Sequence, residues 1–144
     1  MNDFPAPLDL RKIKVLPLAQ RRSLSAGSDV FLAPTTPPPP CSAALASQIH
    51  EVAQRIKAAR TRGASVMLIY GAHLVKNGLA PLVNQLITHG WITHLATNGA
   101  GTIHDWEFAF LGRSEESVRE NVATGTFGTW DETGRCTQLA LLAG

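Results

Sequence analysis

Proline and glycine are segregated along this chain, and the segregation limits where regular structure can form. Eight of the nine prolines lie before residue 41, ending in the run Pro37-Pro38-Pro39-Pro40, whereas ten of the twelve glycines lie between Gly63 and Gly134. A proline run favours extended polyproline II and is incompatible with a helix interior. Residues 1–40 therefore read as an extended N-terminal arm, either a stiff spacer or a docking segment for an aromatic groove. Residues 41–144 read as the folded domain. Within the arm, Ile13-Lys14-Val15-Leu16-Pro17-Leu18 suits a short edge strand.

At 144 residues, 44% hydrophobic and 17% charged, the chain is long and apolar enough for one packed domain. The net charge of +2 lies wholly in the first 40 residues, where five Lys/Arg face three Asp/Glu; residues 41–144 carry eight of each. No basic face of the kind that binds nucleic acid is expected. No apolar run reaches the ~18–20 residues of a membrane span, so no membrane is expected either. Met1-Asn2-Asp3 opens no basic segment followed by an apolar one, so no secretory leader is expected. The two cysteines, Cys41 and Cys136, make no disulfide framework, which points to a reducing cytoplasm.

Leu45, Ile49, Val52, Ile56 and Ala59 are spaced by four, three, four and three, one face of a helix from about Ser42 to Arg62, stopped by Gly63. Ser65-Val66-Met67-Leu68-Ile69-Tyr70 reads as a strand buried on both faces. A helix follows, with Pro81 in its first turn, Leu79, Leu82, Val83, Leu86 and Ile87 on one face and Gly90 at its end. Trp91 to Thr97 forms a second strand, so that strand, helix and strand make a βαβ unit with parallel strands. Further helices are expected over Thr102–Leu111, from an N-cap at Ser114 through Ala123, and over about Asp131–Leu142. The fold class is α/β: a partial, Rossmann-like parallel sheet with helices on both faces.

Two loops follow the two strands, Gly71-Ala72-His73 and Thr97-Asn98-Gly99-Ala100-Gly101. If the strands are parallel, both emerge at one carboxyl edge, where open α/β sheets bind ligands. Glycines there let backbone N–H groups approach a phosphate or carboxylate at a helix N-terminus. Gly99-Ala100-Gly101 lacks the third glycine of the full dinucleotide fingerprint, so glycines serving tight turns alone are the competing reading. His73, His104, Asp105 and Glu107 are the polar groups near these loops, either hydrogen bonding to a ligand, capping the loops, or holding a divalent metal. His104 and Asp105 point about 100° apart on a helix, and no H-x-x-x-H spacing occurs, which weighs against metal. Lys76 is either a phosphate contact or a solvated helix residue. His94, in mid-strand, reads as a packed histidine, and Cys136 as a structural thiol. Trp91, Trp106 and Trp130 read as core or interface aromatics, and Ile103, Trp106 and Phe110 share a helix face.

At these loops the sequence resembles the deoxyhypusine synthase family, in particular its bacterial deoxyhypusine-synthase-like branch. The matching stretch contains Gly71-Ala72-His73-Leu74-Val75-Lys76-Asn77-Gly78 and Thr97-Asn98-Gly99-Ala100-Gly101-Thr102-Ile103-His104-Asp105, with a weaker likeness through Asn121–Gly128. The resemblance covers about half of the chain, in order and spacing as well as in its glycines. It implies a Rossmann-like domain that binds NAD through Ala72, His73, Leu74, Val75 and Lys76 of the first loop and Asn98, Gly99 and Ala100 of the second, with His104 beside the cofactor and His104 and Asp105 toward the substrate. It also implies the family's reaction, in which spermidine is dehydrogenated with NAD and an aminobutyl group passes through a lysine imine to a lysine of a translation-factor precursor.

Two departures qualify that implication. The family's paired glutamates fall on Ile103 and His104, leaving Asp105 as the remaining acid, which removes the counter-charges for a polycation. Family members are about twice this long, and their imine-forming lysine lies in a glycine-rich C-terminal motif with no counterpart here. The chain is therefore expected to be an NAD-binding half of an incomplete or split aminoalkyl transferase. Such a half would work with a C-terminal partner or as a homo-oligomer on a small-molecule ligand. A non-catalytic oligomeric scaffold of the same fold, or a metal-dependent hydrolase using His73, His104 and Asp105, are the alternatives.

Overall fold

The computed structural model describes Pro7 and residues 9–144. Residues 1–6 and Leu8 of the expected arm lie outside the described residues. In chain order the elements are β1 (Ser23–Ala26), α1 (Gly27–Val30), α2 (Ala43–Thr61), β2 (Met67–Tyr70), α3 (Ala72–Lys76), α4 (Ala80–Thr88), β3 (His94–Thr97), α5 (Gly99–Leu111), β4 (Arg113–Glu116), α6 (Val118–Ala123) and α7 (Asp131–Ala143). The chain is mixed α/β, with two small sheets, β1–β4 and β2–β3. The described residues divide into two compact units, residues 25–114 and residues 9–24 with 115–144.

The first unit is built on the βαβ pattern. β2 and β3 pair in parallel, Met67 opposite His94 through Tyr70 opposite Thr97. The crossover is broken into α3 and α4 at Gly78, whose φ of +83° suits glycine. A Cβ on Gly78 would lie 1.8 Å from the Val30 carbonyl oxygen, so the turn presses directly on the end of α1. Pro81 starts α4, and Gly90 (φ +67°) ends it. Thr93 fastens the two strand entries together, its hydroxyl accepting from the Val66 N–H at 2.9 Å and donating to the Val66 carbonyl at 3.1 Å. α3 packs closely on α5. Val75, Val83, Ile92 and Phe108 are buried, and Phe31 lies against Phe108 with ring centroids 5.1 Å apart.

Cover on both faces of the parallel pair, expected from the apolar strands, is not found. Leu68 and Tyr70 are half-buried, but Met67 and Ile69 on the alternate positions are 57% and 76% exposed. α2 is present where its periodicity and the Ser42 cap place it, the Ser42 hydroxyl accepting from the Leu45 N–H at 3.2 Å, yet none of its 19 residues is buried. The Ile103–Trp106–Phe110 face is also incomplete as core: Trp106 and Phe110 stack 4.7 Å apart, and Phe110 is 58% exposed. His94 is exposed at the strand entry rather than packed, its Nδ1 2.8 Å from the Thr93 hydroxyl.

In the second unit, Leu16 and Trp130 form a single parallel bridge. Pro17, which has no N–H to donate, follows at once, so the expected edge strand at 13–18 is reduced to this one contact. A 3₁₀ turn, Leu18–Gln20, follows, with Leu18 fully buried and its N–H donating to Glu132 Oε2 at 2.6 Å. Trp130 is buried, with the Arg21 guanidinium 5.9 Å above its ring. Its indole N–H donates to Glu116 Oε2 at 2.9 Å, and the other Glu116 oxygen accepts from the Gly128 N–H at 3.0 Å. The expected arm is thus not extended throughout: residues 18–30 fold into a turn, a strand and a short helix, while Pro37–Pro40 remain exposed and without regular structure. Ser114 is not a helix cap, because β4 occupies Arg113–Glu116; Ser117 caps α6 instead, accepting from the Glu120 N–H at 3.2 Å.

The tight approaches at glycine make a direct test. Gly78→Ala meets backbone at Val30 and carries an unfavourable φ, so it is expected to lower the unfolding free energy by about 3 kcal/mol or more. Gly99→Ala, with nothing within 4 Å of the added carbon, is expected to stay within about 1 kcal/mol of the parent protein. Urea unfolding of both variants checks this ordering.

Candidate functional site

Parallel pairing delivers both loops to the same end of the sheet. β2 stops at Tyr70 and α3 begins at Ala72; β3 stops at Thr97 and α5 begins at Gly99. The loops are adjacent: a Cβ on Gly71 would lie 3.6 Å from Asn98 Nδ2. Asn98 caps α5, its Oδ1 accepting from the Gly101 N–H at 3.0 Å. That satisfies one of the first-turn donors of the helix.

The glycines of the second loop have different duties. Gly101 is buried, and a Cβ there would come within 2.0 Å of Thr97 Oγ1 and 3.5 Å of Tyr70 Cε2. Its bareness lets α5 pass close over the strand ends. Gly99 faces open space, and Asn98, Gly99 and Ala100 are all exposed. This stretch is where a small anion can meet N–H groups and the positive end of a 13-residue helix.

The first-loop residues split along their helix. His73 is exposed and Ala72 and Lys76 half-buried, whereas Val75 is 2% exposed and packs inside the unit. Leu74, Val75 and Asp105 line a cavity of about 40 Å³ together with Tyr70, Val83 and Leu95, large enough for a water and not for a cofactor. Asp105 therefore sits beside the first loop.

His104 is turned toward a buried pair instead. Its Nδ1 lies 2.7 Å from Ser114 Oγ, and that hydroxyl donates to Glu107 Oε2 at 2.6 Å. Ser114 is 0% exposed and Glu107 1% exposed. The Ser114 hydroxyl is thus a buried link between the His104 imidazole and the Glu107 carboxylate. His104 and Asp105 consequently diverge. Among the described residues, no group of three or more His, Cys, Asp or Glu side chains is placed to hold a metal ion, so the set His73, His104 and Asp105 is not assembled. Cys41 is exposed and Cys136 half-buried, both as free thiols.

The contributions of Ser114 and Tyr70 do not follow from local pattern. Ser114-Glu115-Glu116 has the composition of a helix start, and only its partners on α5 reveal its role. The spacing of His104 and Glu107 by three was the available signal, since it puts both on one face. Ser114→Ala strips a buried carboxylate of a donor and is expected to cost about 1–3 kcal/mol of stability. Asp105→Ala, at an exposed position, is expected to cost about 0.5 kcal/mol or less. Thermal and urea unfolding compare the two.

No family model, no curated protein and no solved structure matches the chain.

Proposed function

We propose that this chain is an NAD-binding, Rossmann-like domain of the deoxyhypusine-synthase-like type that works in the cytoplasm as part of an incomplete aminoalkyl transferase. The observation that carries the reading is the parallel β2–β3 pair whose two glycine loops open side by side, with Asn98 against Gly71. The donor set at Asn98, Gly99 and Ala100 suits the pyrophosphate of a dinucleotide. When bound, NAD would supply a hydride acceptor. The residues of this chain would anchor and orient it: Asn98, Gly99 and Ala100 at the phosphates, and Ala72, His73 and Lys76 along the first loop. Leu74 and Val75 would act by holding α3 in place. Asp105 would face the substrate, and His104, its Nδ1 held by Ser114, would act by fixing α5; the small cavity at Asp105 calls for further surface from another molecule.

That surface is a partner carrying the C-terminal lysine motif, or a second copy of the chain. The exposed Ile69 supports such cover, because strands of a parallel sheet are ordinarily buried on both faces. Light scattering at micromolar concentration is expected to give a mass that is a multiple of 15.4 kDa. A monomer with no binding of a hydrophobic dye would remove the need for cover.

Calorimetric titration tests the cofactor. Saturation by NAD at or below millimolar concentration is expected, with Gly99→Val weakening binding about tenfold, equivalent to about 1.4 kcal/mol, while unfolding stays within about 1 kcal/mol of the parent. No saturation at millimolar NAD would favour a non-catalytic oligomeric scaffold of the same fold.

A further inference from the structure

We propose that the amino end of the β2–β3 pair carries a second binding site, an apolar cleft that takes an aliphatic carboxylate, with Lys57 holding the carboxylate. The cleft lies at the opposite end of the strands from the glycine loops, so it stands or falls independently of the NAD reading.

The cleft arises because α2 is fastened at one end. The Ala64 N–H donates to the Ala59 carbonyl at 2.9 Å, which turns the chain back toward the sheet. Arg60 donates to the His89 carbonyl and stacks over Trp91, its guanidinium carbon 4.5 Å from the ring centroid. Toward the N-terminus cover is lost: Ile56 is half-buried, Val52 55% exposed and Ile49 56% exposed. A space of about 470 Å³ remains between this helix and the start of β2, walled by Ile56, Leu68, Leu86, Trp91 and Ile92, with Lys57 at its edge. The volume is in the range of small-molecule sites, which pair an apolar lining with few polar groups.

Lys57 decides the ligand class. The neighbouring cations of α2 are engaged: Arg55 pairs with Glu51 at 2.5 Å, and Arg60 is held by His89 and Trp91. The Lys57 ammonium makes no ion pair or side-chain hydrogen bond among the described residues. No carboxylate lines the cleft. One uncommitted positive charge beside an apolar space matches an amphipathic monoanion, whose tail displaces water from Ile56, Leu68, Leu86 and Ile92. A cationic or neutral amphiphile gains only the tail contacts.

The full chain is titrated with decanoate and decyltrimethylammonium below their micelle concentrations and with decanol below its solubility limit. Binding is followed by amide and indole NMR shifts. Decanoate is expected to saturate, moving Trp91 and Ile92 and leaving Asn98 and Gly99 in place, and to bind more tightly than the other two. Lys57→Gln, at an exposed position, is expected to weaken decanoate about three- to fivefold, as for a partly exposed ion pair, without changing decanol. Ala53 also lines the cleft, and Ala53→Phe, which fills it, is expected to abolish both. Equal affinity for the three amphiphiles, or decanoate binding indifferent to Lys57→Gln, would overturn the proposal. So would self-association that covers Trp91 and excludes decanoate, which would make a second copy the occupant. Should Ala53→Phe fail to fold, the amphiphile series and Lys57→Gln still decide.

Discussion

The parallel pairing of β2 with β3 is the constraint on which the rest of the first unit depends. Parallel strands cannot be joined by a hairpin, so the chain must travel back along the sheet before β3 can start. That return path is α3 and α4, bent at Gly78 over the end of α1. The same pairing sends the chain out of both strands at one edge, which is why Gly71 and Asn98 become neighbours although 27 residues separate them. It also accounts for Gly101. α5 leaves β3 after a single residue, so its first turn lies against Thr97 and Tyr70, and any side chain there would collide with the strand it follows.

Each unit holds a hydrogen-bonded carboxylate beside a small apolar core. Among the described residues, the buried apolar side chains are Leu18, Val75, Val83, Ile92, Phe108 and Trp130. Glu107 sits with Phe108 inside the first unit and is tied to Ser114. Glu116 gathers the Trp130 indole, the Asn121 amide and the Gly128 N–H in the second. Glu107 is buried and Glu116 half-buried, and taking a carboxylate out of water carries a desolvation cost that hydrogen bonds offset only when the donors are well aimed. The benefit is directional. An apolar contact tolerates sliding, whereas a carboxylate shared among three donors fixes the path of the loop that supplies them. In a chain with little apolar interior, this is how the 121–130 segment gets a defined course.

Elements with strong periodicity were legible in the sequence. α2, α4, α7 and the two parallel strands lie where spacing and glycine placement put them, within a few residues. β1 and β4 were not legible, because Ser-Leu-Ser-Ala and Arg-Ser-Glu-Glu lack the apolar alternation that marks a strand. Their pairing depends on distant residues, and Ser114 followed by two glutamates mimics a helix start. α5 begins earlier than its apolar face suggests, since Asn98 can cap across Gly99-Ala100-Gly101. At the site, the adjacency of the two loops was readable from the βαβ pattern. The division of labour between Gly99 and Gly101 was not, because it depends on which glycine lies over Thr97. His104 could not be assigned a partner for the same reason: Ser114 reaches it through a strand that the sequence does not announce.

Periodicity also misleads in one respect. The stripe Leu45, Ile49, Val52, Ile56 has the spacing of a buried face, yet burial does not hold α2 together here. Local forces do. Six of its 19 residues are alanine, Ser42 caps its start, and Glu51 pairs with Arg55 one turn on. At this length such a sequence forms a helix with little help from packing. The apolar stripe is therefore surplus to what the helix needs in order to exist, and leaving it in water gives up burial free energy of about 25 cal/mol for each Å². Val52 and Met67, which line the cleft, share that cost. A helix that is stable by itself needs no packing along its whole length, so α2 can touch the sheet region through Arg60 and Trp91 at its last turns and leave a space beside Val52 and Ile56.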